Sequence, residues 1–184
     1  MEKTLVLIKP DAMKRNLAGH LIRRYLEAGM KIVGIKMVRV DKTLAELHYP
    51  ASEKQIVGMG KKTIQSAHES GKPHTIMERF GTEDPKEIGM ELRSWLIDFI
   101  TSTPVIAMVL EGEDSIQTVR KITGFTDPLR AEKGTIRGDW GEDSIEKANE
   151  EKRATKNLVH ASGNKEEADV EIKLWFSEGE IQKY

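Results

Sequence analysis

Short apolar runs with many β-branched residues recur along the chain and predict four buried strands. They cover residues 4–8, 31–40, 105–110 and 158–161. The run at 105–110 is the clearest of the four, and the run at 31–40 alternates between apolar and polar positions. The first run ends at Lys9-Pro10-Asp11, which predicts a turn directly after the strand.

Apolar side chains at helical spacing predict five helices between these strands and after the last one. They cover residues 16–28, 44–49, 87–100 and Ser115–Thr123, and a final helix from Asn164 to about Leu174. We expect Asn16 to cap the first helix and Gly29 to end it. Asn164 is the expected cap of the final helix, and Trp175 and Phe176 are expected to pack on the body of the protein.

Three further segments lack a clear period. Residues 50–89 carry glycines, prolines and many lysines, and we expect short helices and loops on the surface, as in an insertion. Residues 125–138 have the composition of a loop. Residues 142–156 form a highly charged run that favours a helix with a solvated face.

The order of these elements is β-α-β-α repeated twice, and it predicts an α+β fold. Two βαβ-like halves with short strands indicate a ferredoxin-like split βαβ arrangement with helices covering the sheet. We therefore expect a four-stranded antiparallel sheet, with insertions after the second strand and before the last. The whole chain, residues 1–184, is expected to form one domain, with the insertions at about 50–91 and 142–153.

Composition narrows the class of protein. A length of 184 residues allows a sizeable core, and 32% charged residues are ordinary for a globular protein. The net charge of -1 argues against a protein that coats nucleic acid, which would be strongly basic. The chain has no cysteine, which excludes disulfides and thiolate metal sites. With no signal peptide or apolar span recognised, we expect a cytoplasmic protein without a membrane partner.

Candidate chemistry centres on His160, at the end of the fourth apolar run. A neutral imidazole is a good nucleophile near neutral pH, and cations around it would suit attack on a phosphate. Lys9 follows a buried strand, Arg137 lies between glycines that permit close approach of a ligand, and Arg120 lies on a predicted helix. Taken singly, each has an ordinary alternative: a structural histidine, a surface lysine, a solvated arginine or a salt bridge.

One tempting phosphate-binding motif fails. Gly58-Met59-Gly60-Lys61-Lys62-Thr63 has Gln55 in the place of the first glycine of a P-loop, and Lys62 separates Gly60-Lys61 from Thr63. No predicted strand leads into it. We therefore do not expect a P-loop.

Several longer motifs follow one another along the chain. They are Thr4-Leu5-Val6-Leu7-Ile8-Lys9-Pro10-Asp11-Ala12, His48-Tyr49, Val105-Ile106-Ala107-Met108-Val109-Leu110-Glu111-Gly112, Thr126-Asp127-Pro128, Gly134-Thr135-Ile136-Arg137-Gly138-Asp139, Asn157-Leu158-Val159-His160-Ala161-Ser162 and Glu171-Ile172-Lys173-Leu174-Trp175-Phe176. Together they resemble the nucleoside diphosphate kinase family, from about Lys3 to Phe176 apart from two inserted stretches.

The resemblance implies transfer of a γ-phosphate from a nucleoside triphosphate, such as ATP, to a nucleoside diphosphate in a ping-pong cycle. His160 would become the phosphohistidine, Glu171 would orient its ring, and Ser162 would assist Glu171. The groups implied to hold the nucleotide and the transferring phosphate are Lys9, Arg120, Arg137, Tyr49, Thr126 and Asn157. Mg²⁺ would arrive on the nucleotide phosphates, with no side-chain ligand.

The sequence also departs from the family pattern. Ala161 stands where the family commonly has glycine, and Gly163 stands where it commonly has an acidic residue. These replacements bear on whether the protein assists the metal through a bound water molecule. Leu92 occupies the position of the aromatic residue that stacks on the base, with Phe80 as the alternative. The family generally forms symmetric oligomers, so the resemblance implies self-association as a hexamer.

Two other classes of protein compete with the kinase. One is a catalytically silent relative that binds nucleotide. The other is a ferredoxin-like protein that binds RNA or a small effector, but it would need aromatic residues on the open sheet face, and the strands offer almost none. We expect no specific nucleic acid partner.

Overall fold

The computed structural model describes all residues, Met1–Tyr184. The elements in chain order are β1 Glu2–Ile8, α1 Pro10–Lys14, α2 Ala18–Glu27, β2 Lys31–Val38, α3 Lys42–His48, α4 Glu53–Glu69, α5 His74–Phe80, α6 Pro85–Thr101, β3 Val105–Gly112, α7 Ser115–Thr123, α8 Ile136–Trp140, α9 Ile145–Glu150, β4 Val159–Ala161 and α10 Lys165–Trp175. Two short 3-10 helices cover Pro128–Arg130 and Glu178–Glu180. None of the helices combines the length and apolar character needed to cross a membrane.

The chain forms two compact units. The first comprises Met1–Val40, Ser102–Ser144 and Lys156–Tyr184, and it contains the whole sheet. The second comprises Asp41–Thr101 and Ile145–Thr155, and it is entirely helical.

The sheet of the first unit has the order β2-β3-β1-β4, and every neighbouring pair of strands is antiparallel. This confirms the predicted four-stranded α+β fold of ferredoxin-like type. Residues 4–8 of β1 are fully buried in the centre of the sheet, as expected for a strand with pairing partners on both sides. At its carboxyl end, β1 lies beside the catalytic candidate, because Leu7 pairs with His160.

Helices from both halves of the chain pack on this sheet. The apolar core joins Val6 and Ile8 of β1 to Leu21 and Tyr25 of α2 and to Val119 of α7. The Tyr25 hydroxyl lies 2.8 Å from the Thr123 hydroxyl, so a buried hydrogen bond links α2 to α7. These contacts fix the carboxyl end of α7, after which the chain continues to Thr126.

In the second unit, the expectation of short helices and loops over residues 50–89 holds for α5 and the loops on either side of it but is wrong for α4. α4 is a single helix of 17 residues that contains the rejected P-loop motif. It packs against α6 through two glycines: a Cβ on Gly60 would overlap the Pro85 carbonyl, and a Cβ on Gly89 would overlap the Ile56 carbonyl. Glycines that suggested breaks in the sequence therefore permit a close helix crossing.

The two predicted insertions meet within the second unit. Lys72 Nζ lies 2.6 Å from Glu146, and Arg79 lies 2.8 Å from Glu150, so ion pairs connect α5 to α9. The charged run at 142–156 is helical only over Ile145–Glu150, shorter than expected.

Three boundaries differ in detail. Asn16 does not cap α2: it has φ 55°, and Leu17 holds the N-cap position without a side-chain bond. The Lys9-Pro10-Asp11 turn is the start of α1, with Pro10 at its first position, where a missing N–H costs nothing. The supposed loop at 125–138 contains the 3-10 helix and most of α8.

Candidate active site

Lys9 is held at the end of β1 by two bonds to the segment before β4. Its ammonium donates to Asn157 Oδ1 at 2.9 Å, and its backbone N–H donates to the Leu158 carbonyl at 2.8 Å. The side chain is only 6% exposed. Burial, and then the nearby Arg137 charge, lower the pKa of Lys9 to about 8, against the opposing effect of Asp11. A buried ammonium without a direct carboxylate acceptor is suited to an anionic ligand.

Arg137 lies in the short helix α8, whose N-terminus is capped by the Thr135 hydroxyl. Its guanidinium donates to the carbonyls of Asn157 at 3.0 Å, Gly124 at 3.0 Å and Val159 at 2.8 Å. Burial lowers the pKa of Arg137 to about 10, which leaves it cationic at neutral pH. The alternative of a solvated arginine in a turn is thus excluded.

Asn157 connects this cluster to the loop after α7. Its amide nitrogen donates to the Thr126 carbonyl at 3.0 Å, while its oxygen accepts from Lys9. The Thr126 side chain itself is exposed. Arg120, in the last turn of α7, is also exposed and lines a cavity of about 350 Å³ with Lys121 and Arg130, among others.

His160 is the middle residue of β4, and its ring is held by α10. Nε2 lies 2.9 and 3.0 Å from the two carboxylate oxygens of Glu171. The Ser162 hydroxyl donates to Glu171 at 2.6 Å, and the same hydroxyl accepts the Leu5 N–H at 3.3 Å. An ionised Glu171 favours the tautomer with the proton on Nε2, which leaves the lone pair on Nδ1. The arrangement can therefore present Nδ1 as a nucleophile.

The first unit thus brings most of the predicted site residues into one network. Direct hydrogen bonds connect Lys9, Asn157, Thr126 and Arg137, and β4 carries this cluster on to His160 with Ser162 and Glu171. Arg120 joins it electrostatically, because its charge contributes to the lowered pKa of Arg137.

The other predicted residues lie in the second unit. Tyr49 directly follows α3, its ring centroid is 4.6 Å from that of His48, and its carbonyl accepts the Arg93 Nε–H at 2.5 Å. Leu92 is half-buried on α6. Phe80, the alternative contact for a base, stacks on Trp95 with a centroid distance of 5.7 Å.

Asp11, which the sequence analysis places only in the turn after β1, lies inside the network in the structure. It is 8% exposed, and its Oδ2 accepts the Leu158 N–H at 3.0 Å. The sequence signal was present: an acidic residue two positions after a candidate phosphate-binding lysine, at the same strand end.

Comparisons with known proteins show the family to which this chain belongs. The family model for nucleoside diphosphate kinase matches residues 2–67 and 85–181. A nucleoside diphosphate kinase of Pyrobaculum aerophilum is 43% identical over 181 residues, with 98% of both chains covered. One from Pyrococcus furiosus is 39% identical, with all of this chain and 88% of the relative covered. The unmatched residues 68–84 fall inside the first predicted insertion.

Solved structures give the same result. A crystal structure of an NDP kinase from Pyrobaculum aerophilum has a TM-score of 0.93 at 42% identity, covering 99% of each chain. A nucleoside diphosphate kinase from Borrelia burgdorferi, described as a transition-state mimic with bound vanadate and ADP, has a TM-score of 0.78 at 34% identity, covering 100% of this chain and 91% of that one.

Proposed function

We propose that His160 is the residue phosphorylated during catalysis by this chain, which belongs to the nucleoside diphosphate kinase family. The chain is a phosphotransferase that moves the γ-phosphate of a nucleoside triphosphate to a nucleoside diphosphate. We infer a ping-pong cycle, in which His160 accepts the phosphate from the donor nucleotide and then passes it to the acceptor.

The observation that carries this proposal is the bond between His160 Nε2 and Glu171 at 2.9 Å. Because Glu171 holds Nε2, Nδ1 is the ring nitrogen that attacks the γ-phosphorus, and the nucleoside diphosphate leaves with the electrons of the broken P–O bond. Glu171 also stabilises the positive charge that the ring gains as the N–P bond forms. Ser162 keeps Glu171 in line through its 2.6 Å bond.

The cations supply the electrostatic part of catalysis. Lys9, Arg120 and Arg137 hold the phosphates and neutralise charge on the transferring group, which is the main contribution of a protein to phosphoryl transfer. Arg137 has five N–H groups. Three are used by backbone carbonyls, so two remain for a phosphate. Thr126 contacts phosphate and Asn157 contacts the sugar.

Mg²⁺ would enter bound to the nucleotide and would neutralise and orient its phosphates. The side chains gathered in the first unit around the proposed phosphate position fit this arrangement. They are mainly cations and an amide, whereas a dedicated Mg²⁺ site needs carboxylate oxygens. Gly163, where the family has an acid, donates its N–H to Glu167 at 2.9 Å and offers no metal ligand.

The roles that the family resemblance implies for Tyr49 and Leu92 complete the proposal. We propose that Tyr49 acts near the transferring phosphate and that Leu92 covers the base by apolar contact, with Phe80 as the alternative. Apolar contact discriminates poorly between bases, so we expect broad use of nucleoside di- and triphosphates.

The remaining expectations concern organisation. We propose that residues 1–184 form a single kinase domain with insertions at about 50–91 and 142–153. The chain is proposed to self-associate as a hexamer and to work in the cytoplasm, with no membrane or specific nucleic acid partner.

The experiment is incubation with γ-labelled ATP and Mg²⁺, followed by a chase with GDP. We expect acid-labile, base-stable label on the protein that moves into GTP. His160→Ala should remove the label while leaving the fold intact, and the exposed His68→Ala should keep it. Label that persists in folded His160→Ala would contradict the assignment.

A further inference from the structure

The chain makes a strained turn two residues before His160. Leu158 has φ 70°, a conformation that is rare for a residue with a branched side chain, and it is completely buried. The Val159 N–H donates to the Asn157 carbonyl at 2.8 Å across Leu158, which closes a three-residue γ-turn of the rarer hand. Such a turn is strained and persists only where its surroundings hold it.

Three groups from other segments hold this turn. The Leu158 N–H donates to Asp11 Oδ2 at 3.0 Å, and the Leu158 carbonyl accepts the Lys9 N–H at 2.8 Å. Arg137 donates to the carbonyls on either side, those of Asn157 and Val159. Of these contacts, only the bond from Asp11 restrains the peptide N–H of the strained residue itself.

The position of Asp11 leaves one of its carboxylate oxygens buried without a hydrogen bond. The carboxylate is buried, and its second oxygen, Oδ1, has no hydrogen-bond partner. Burying an acceptor without a partner is unfavourable, so a side chain chosen for stability alone would be expected to satisfy both oxygens. Its one strong bond goes to the turn that starts the catalytic strand.

We propose that Asp11 is a positioning residue for phosphoryl transfer: its carboxylate fixes the γ-turn at Leu158 and thereby the start of β4 and the direction of the His160 ring. This inference rests on the proposed role of His160. A displacement of about 1 Å at a reacting group can reduce rate about 100-fold, so a loosened turn should act on the transfer step.

Asp11 also carries a charge close to Lys9 and Arg137, and this second effect must be separated from the first. The Asp11 charge raises the pKa of both cations, which favours phosphate binding. The other charged group that acts on Lys9 is Arg137, while Tyr25 and Arg120 also act on Arg137. Loss of charge should therefore appear in the nucleotide KM, whereas loss of the bond to Leu158 should appear in kcat.

Two near-isosteric variants divide these effects. Asp11→Asn keeps an oxygen that can accept the Leu158 N–H but removes the charge. Asp11→Glu keeps the charge but displaces the acceptor by one methylene. We expect Asp11→Asn to retain kcat within about threefold, with a raised KM, and Asp11→Glu to lower the rate of phosphoenzyme formation by about 10- to 100-fold.

The measurement is rapid-quench phosphorylation of His160 near pH 7, with steady-state kcat and KM and thermal unfolding of each variant. Asp11→Ala removes both the acceptor and the charge, so it should lower kcat as Asp11→Glu does and raise KM as Asp11→Asn does. It serves if the longer side chain of Asp11→Glu prevents folding. Glu2→Ala is the control, because Glu2 also accepts a backbone N–H, that of Ile116 at 2.9 Å, but at the other end of β1.

The inference is overturned if Asp11→Asn and Asp11→Ala lose kcat while Asp11→Glu keeps it, since charge would then be the cause. It is also overturned if the variants only lower the melting temperature. A wild-type protein that forms no phosphohistidine would instead remove the proposed function itself, so the two failures can be told apart.

Discussion

Replacing Lys9 by methionine should change how the stability of the protein depends on pH. The pKa of Lys9 is lowered from 10.5 to about 8, so burying its charged form costs about 3 kcal/mol. Below pH 8 both folded and unfolded chains hold the proton, and this cost is fully present. Between pH 8 and 10.5 the unfolded chain binds the proton and the folded chain does not, so stability rises with pH. Over the range from about pH 7 to about pH 9.5 the gain is about 2 kcal/mol.

Lys9→Met should not show this rise of stability with pH. It also loses the hydrogen bond to Asn157, and the unpaired Asn157 oxygen should lower the free energy of unfolding by about 1–3 kcal/mol. Near pH 7, removing the cost of the buried ammonium nearly offsets the lost hydrogen bond to Asn157. We therefore expect Lys9→Met to be as stable as the wild type or slightly more stable, and its kinase activity to be strongly reduced. Urea unfolding at several pH values measures the difference, and the exposed Lys14→Met should follow the wild type. If wild type and Lys9→Met show the same pH dependence, the buried ammonium does not carry this energetic cost.

Two further variants test the site and the second unit. Glu171→Gln should slow phosphorylation of His160 by about 10- to 100-fold in rapid-quench assays with little change in KM, because an amide can support the wrong tautomer; an unchanged rate would refute the orienting role. Gly89→Ala should destabilise the protein by at least about 1–3 kcal/mol, because its Cβ would overlap the Ile56 carbonyl. Gly58→Ala, on α4 with open space around it, should instead stabilise by about 0.5–1 kcal/mol, and equal melting temperatures for the two would contradict the close crossing.

The sheet could be predicted because its strands carry a strong local signal. Residues 4–8 and 105–110 are apolar runs of strand length, and Ser115–Thr123 was predicted with its observed bounds. Residues 50–89 could not be predicted in the same way. The glycines of α4 and α6 weaken helix propensity locally, and their benefit is a tertiary contact with Pro85 and Ile56 that no local pattern reveals.

In the candidate site too, short sequence motifs identify residues, whereas contacts between residues far apart in the sequence decide their environment. His160, Lys9 and Arg137 were found from motifs, but single motifs could not exclude a surface lysine or a solvated arginine. The structure excludes both by burying the side chains on acceptors from distant segments. The contact of Asp11 could not be predicted locally, because its partner, the Leu158 N–H, lies 147 positions away in the sequence.

The acceptors of the two buried cations bear on how the proposed site would receive a phosphate. Lys9 donates to the amide oxygen of Asn157, and Arg137 donates to three backbone carbonyls, all of them neutral. Neutral acceptors fix the direction of a cation without cancelling its charge, whereas a carboxylate in direct contact would reduce the field available to a ligand. Holding the two cations with neutral acceptors disfavours their charged forms, and the lowered pKa of each group reflects this free-energy cost. Asp11, the nearby acid, binds the backbone of Leu158, so it moderates this cost through space while leaving both cations free of a direct carboxylate contact and available to the proposed phosphate.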